Sequence, residues 1–187
     1  IADNPLIKHI ADFIYPGVDL ETVKEMFRKI HSAYEFQTQI MHFAIQKIID
    51  KTTSGLTCNG IYQLDKSKSY LFISNHRDIL LDAAIHEMLL NSYGYKTSEI
   101  TFGSNLMNPE FVVDIGKSNK MFRVERGGAS RDFYKNSSHL SDYIRFTITR
   151  KDESIWIAQR NGRTKDGNDM TDQGILKMFS MSGTTDL

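Results

Sequence analysis

The chain has 187 residues, 40% hydrophobic and 25% charged, the composition of one ordinary globular domain with its own core, which excludes a disordered or fibrous protein. Lys plus Arg and Asp plus Glu stand at 23 each, so no global field draws the protein to nucleic acid, and any anion site has to be local. The single Cys58 excludes an internal disulfide and cannot by itself build a zinc site, which fits a reducing, cytoplasmic compartment. The longest apolar runs, four residues each, fall well short of the roughly 18 to 20 that cross a bilayer. The chain opens at Ile1 without a basic-then-apolar leader, and so reads as trimmed or excerpted rather than exported.

Leu6, Ile10, Phe13 and Ile14 predict a short amphipathic helix that stops at Pro16-Gly17. A second stripe, Val23, Phe27, Ile30, Tyr34, Met41, Ala44 and Ile48, with Gln37 as one polar intruder, predicts a single long helix from Leu20 to about Ile49. Residues 1–52 therefore form an N-terminal helical segment packing on a core at 53–187. Lys24, Arg28, Lys29 and Lys47 would also suit a helix at a lipid interface, although Glu25, Glu35 and Asp50 dilute that case.

Beyond Gly60, short apolar runs alternate with helical patterns, which predicts an α/β fold: a mixed, largely parallel sheet flanked by helices. Strands are expected at Gly60–Leu64, Tyr70–Ser74, Ile100–Phe102, Met121–Val124 and Ile155–Ala158, with helices near Asp78–Leu90 and Asp132–Thr149. Ligands of such sheets collect at the carboxyl ends of the strands.

At one such end Asn75-His76-Arg77-Asp78 leads into a helix with Leu81, Ile85, Met88 and Leu89 on its core face. Asp78 is placed to cap that helix, and Asp82 lies one turn further on the same face. Helical side chains lean toward the N-terminus, so the Asp82 carboxylate can point back at the imidazole. A histidine backed by a carboxylate is a general base suited to deprotonating an alcohol. Two further strand ends carry cations: Lys120-Met121-Phe122-Arg123-Val124-Glu125-Arg126-Gly127, and Ile155 to Ala158 running through Gln159-Arg160 into Asn161-Gly162-Arg163-Thr164-Lys165. Guanidinium groups and Gly-rich backbone N–H groups are the usual partners of phosphate.

In their order, each at the end of an apolar strand, these three stretches resemble the blocks of the bacterial phospholipid acyltransferases, the 1-acylglycerol-3-phosphate and glycerol-3-phosphate acyltransferase family. Asn-His-Arg with a nearby Asp resembles the first block, although the family places four residues between its His and Asp and here five stand between His76 and Asp82. The resemblance implies a glycerol-3-phosphate acyltransferase-like fold with His76 as base, Asp82 as its partner and Asp78 as cap or alternative partner. It further implies that Arg126, then Arg123, holds the acceptor phosphate, with Arg77, Gly162, Arg163 and Lys165 also at the substrate. Asn161 stands where the family has Glu, which puts the acceptor in question. The family's fourth block is not visible before Leu187, so the chain reads as stopping short of it.

The implied activity is transfer of a fatty acyl group from acyl-CoA or acyl carrier protein to a hydroxyl of a glycerol phosphate or lysophospholipid. No metal or redox cofactor is implied. The expected partners are the thioester donor, the phosphate-bearing acceptor and, peripherally, the inner face of a membrane, with no nucleic acid. The alternatives are a related transferase for another lipid or amine acceptor, and a catalytically silent lipid-binding module.

Overall fold

A computed structural model describes residues 1–125 and 130–183. Four parallel strands, β1 (Leu71–Ser74), β2 (Glu99–Gly103), β3 (Met121–Val124) and β4 (Ile155–Ala158), form one sheet in the order β1-β4-β2-β3. In register, Leu71 faces Ile155, Ile100 faces Trp156, and Ile100 also faces Met121. The fold is the expected α/β class, with a wholly parallel sheet among the described residues.

Alternation along the strands gives the sheet two apolar faces. On one, Ile155 and Ile157 pack with Leu71 and Phe122 against α7 (Ser130–Thr149) and α8 (Gln173–Phe179), which contribute Ile144 and Met178. On the other, Ile100 and Trp156 pack with Phe72 and Met121 against Ala83 of α5 (Leu81–Ser92). Ile155 is fully buried, worth about 2 kcal/mol by removal of its apolar surface from water.

The N-terminal segment comprises α1 (Ile7–Ile14), α2 (Leu20–Arg28), α3 (Ala33–Glu35) and α4 (His42–Thr52), with one π-helical stretch, Phe36–Met41, joining the last two. The expected first helix is α1. The expected single helix from Leu20 to Ile49 is corrected to two, because a cap interrupts it. Ser32 Oγ accepts from the Glu35 N–H at 3.1 Å and Glu35 Oε2 accepts from the His31 N–H at 2.7 Å, a near-reciprocal capping box that starts a new helix. Ile45 and Ile49 of α4 pack on Ala84 and Met88 of α5.

Polar links complete the docking. The Gln37 side chain is only 3% exposed, and its Nε2 donates to the carbonyls of Ser98 and Asn119, both at 3.1 Å. The polar intruder in the stripe is thus the residue that ties the helical segment to the sheet. Glu87 of α5 likewise accepts from the Ser98 N–H at 2.6 Å and pairs with its hydroxyl.

Gly60–Leu64 is not a strand. Ile61–Gln63 is one 3-10 turn, Tyr62 is 80% exposed, and the carbonyls of Ile61 and Leu64 accept from the Tyr95 hydroxyl instead of a neighbouring strand. The stretch leading into β3 holds a further helix, α6 (Glu110–Ser118), opening at Pro109 where a residue without an N–H costs nothing.

Candidate functional site

β1 ends at Ser74, and the next six residues turn the chain into α5. Asp82 sits in the first turn of that helix, where N–H groups converge and the helix dipole favours an anion. Its Oδ2 lies 3.0 Å from His76 Nδ1 and accepts from the backbone N–H groups of Arg77 at 2.8 Å and Asp78 at 3.0 Å. An ionised carboxylate only accepts, so Nδ1 carries the hydrogen and the neutral ring keeps its lone pair on Nε2.

Asp78 has the capping role. Its Oδ1 accepts from the N–H groups of Leu80 at 2.9 Å and Leu81 at 2.8 Å. The Leu81 bond, aided by the Leu80 bond and the Arg163 charge, holds its carboxyl below the ordinary value against the opposing effect of burial. Arg163 comes to the same corner through the chain, because the next residue, Thr164, bonds to the His76 carbonyl.

The loop after β4 closes over the same corner. The Gln159 N–H donates to the Ser74 carbonyl at 2.8 Å, and the Thr164 N–H donates to the His76 carbonyl at 2.8 Å. Arg77 reaches the loop as well: its Nη1 lies 3.9 Å from where a Cβ on Gly167 would sit. Gly162 adopts φ +76°, a left-handed turn that costs other residues about 1 to 2 kcal/mol. Arg163 and Lys165 are exposed, Gly162 is half-buried, and Asn161 is exposed.

Two hollows meet here. One, about 610 Å³, is polar, lined by Arg160, Asn161, Arg163, Lys165 and Asn168 among others. The other, about 220 Å³, is walled mainly by apolar groups including Val124, Leu140, Ile157 and Met178. Arg160, Asn161 and Asp172 line both and form the partition. His76 is 8% exposed and is not among the described residues that line either hollow.

The fold therefore brings His76, Asp82, Asp78, Arg77 and Arg163 to one corner, with Asn161, Gly162 and Lys165 on the adjoining loop. It does not bring Arg123 there. β3 is the far edge from β1, three strand spacings or roughly 14 Å away, and Arg123 Nε pairs with Glu125 Oε1 at 2.5 Å. Arg126 lies outside the described residues.

Three contributors escape sequence reasoning: Thr164, Gln159 and Asp169. Asp169 Oδ2 accepts from the His76 N–H at 2.5 Å, a contact spanning 93 residues that no local pattern encodes. Among the described residues no group of three or more His, Cys, Asp or Glu side chains is gathered as for a metal ion, and no helix is long and apolar enough to cross a membrane. Compared with known proteins, the chain matches no protein-family model and no curated sequence.

Proposed function

We propose that the protein is an acyltransferase in which His76, oriented by Asp82, activates a hydroxyl of a phosphate-bearing glycerolipid for attack on an acyl thioester from coenzyme A or acyl carrier protein. The carrying observation is the contact of His76 Nδ1 with Asp82 Oδ2 at 3.0 Å, in a carboxylate that also accepts two backbone N–H groups. That arrangement leaves Nε2 as the free base.

In the proposed step Nε2 takes the hydroxyl proton as the oxygen bonds to the thioester carbonyl carbon. The tetrahedral intermediate then expels the thiolate, breaking the C–S bond, and the imidazolium returns the proton to sulfur. A base of this kind contributes roughly a hundred- to ten-thousand-fold. Backbone N–H groups near Gly162 are candidates for the oxyanion. The acceptor phosphate is assigned to Arg163 with Lys165 and Arg77, cations of the corner and its adjoining loop, and the acyl chain to the apolar hollow. The reaction would take place at the inner membrane surface, where such acceptors reside.

His76→Ala is the test, since the backbone bonds of residue 76 do not need its ring. Acyl transfer from a labelled thioester to lysophosphatidate should disappear while unfolding behaviour stays near wild type. Unchanged turnover ends the proposal. A panel with other hydroxyl and amine acceptors, run alongside, reads out the effect of Asn161 in place of a carboxylate. One observation favours a second reading, a catalytically silent lipid-binding module: His76 lines neither hollow. Vesicle binding by the wild type without transfer to any acceptor would select it.

A further inference from the structure

The Asp169 side chain is 1% exposed, yet only one of its oxygens has a hydrogen-bond partner. Oδ2 accepts from the His76 N–H at 2.5 Å, whereas Oδ1 has none and meets the Arg160 guanidinium only at 3.9 Å. Burying a carboxylate is costly unless its bonds are made. Capping a single amide would not require a charged group, because a carbonyl or an Asn side-chain oxygen can also accept it.

The surrounding bonds indicate what the carboxylate accomplishes. His76 is held on both sides of its Cα by the same loop: Asp169 takes its N–H, and Thr164 donates to its C=O at 2.8 Å. With the Cα fixed, only two side-chain torsions remain for the ring, and Asp82 sets those through Nδ1. The loop itself is fastened by Gln159, whose Nε2 donates to the Asp169 carbonyl at 2.9 Å, whose Oε1 accepts from Thr171 Oγ1 at 3.0 Å, and whose carbonyl accepts from the Asp172 N–H at 2.9 Å.

We infer that Asp169 is a positioning residue for His76: it clamps the histidine backbone to the loop that carries Arg163 and Lys165, so that the base and the cations beside it are held as one unit. This rests on the reading of His76 as the base. Arg160 lines both hollows and faces the free oxygen of Asp169, which makes it the charged group that balances the clamp from the ligand side.

The test is solution NMR of the uniformly labelled full chain, with Asp169→Ala and Asp169→Asn compared to wild type and overall folding followed by circular dichroism. In the wild type the His76 amide should resonate downfield and resist solvent exchange, and the imidazole Nδ1 proton should be visible. D169A should lose that imidazole proton signal while remaining folded. D169N, which keeps an acceptor oxygen in place, should restore it. Where acyl transfer is measurable, D169A should lower kcat up to about a hundredfold, as misplacement of a reacting group does, with KM unchanged.

A freely exchanging wild-type His76 amide, or a folded D169A with wild-type His76 signals, overturns the inference. If D169A does not fold, the wild-type amide and the D169N signal decide alone. The NMR result stands even where the wild type transfers no acyl group, so a failure of the acyltransferase reading is distinguishable from a failure of the clamp.

Discussion

Removing the Asp82 carboxylate separates folding from chemistry, because one oxygen serves both. Asp82 Oδ2 takes three donors at 2.8 to 3.0 Å: the His76 ring and the N–H groups of Arg77 and Asp78. Asp82→Ala leaves all three without a partner. Residue 77 is exposed, so water can replace the carboxylate there, and the stability loss should be about 2 kcal/mol rather than the sum of three buried bonds. Asp82→Asn keeps a neutral oxygen for the backbone amides and should recover all but about 1 kcal/mol. Its chemistry should not recover, since a neutral oxygen cannot stabilise the imidazolium that forms when Nε2 takes a proton. Transfer should fall by about a thousandfold in both variants, equivalent to about 4 kcal/mol of barrier. Urea unfolding gives the first quantity and thiol release from the acyl thioester with lysophosphatidate gives the second. A D82N protein with near wild-type turnover would refute the role given to the carboxylate's charge.

Arg163→Ala should raise KM roughly tenfold for a phosphate-bearing acceptor, the value of one charge-assisted bond, and leave an uncharged acceptor unaffected; paired kinetics on the two acceptors checks this, and equal losses would remove Arg163 from the phosphate. Asp78 supplies a pH signature. Its carboxyl is held below the ordinary 3.8, chiefly by the Leu81 N–H, so its stabilising contribution is complete above that value and is lost as pH falls through the depressed one. The stability gap between wild type and Asp78→Asn at neutral pH should therefore narrow below about pH 4, as followed by urea unfolding across pH, whereas a constant gap would contradict it.

Most of what was legible in this fold depends on neighbours in sequence, and what depends on distant partners was not legible. All four strands follow from short apolar runs, and Asp82 follows from the lean of helical side chains. The break before Ala33 was also written locally, in Ser32 and Glu35, but the apolar stripe continuing across it concealed the cap. Gln37 broke that stripe because it bonds two carbonyls 61 and 82 residues away, a purpose invisible in a helical pattern. Gly60–Leu64 has a strand's composition but no neighbouring ladder. At the site, the resemblance that named the arginines could not tell where along the sheet each would fall; Arg123 lies on the edge strand β3, whereas Arg163 lies on the loop after β4, the strand beside β1. Asp169 sits in a polar run of turn residues and acquires its role only when the chain folds back.

The strand order bears on how the protein is made. β4 is the last of the four described strands in sequence, yet it lies between β1 and β2, and its pairing with β1 joins residues 84 positions apart, as Leu71 with Ile155. Until β4 has left the ribosome, β2 and β3 can pair, but β1, the strand that leads to the histidine, has no neighbour. Closing so distant a pairing is slow compared with local helix formation. Nascent chains should thus carry the imidazole for some time before the insertion of β4 turns it into part of a site.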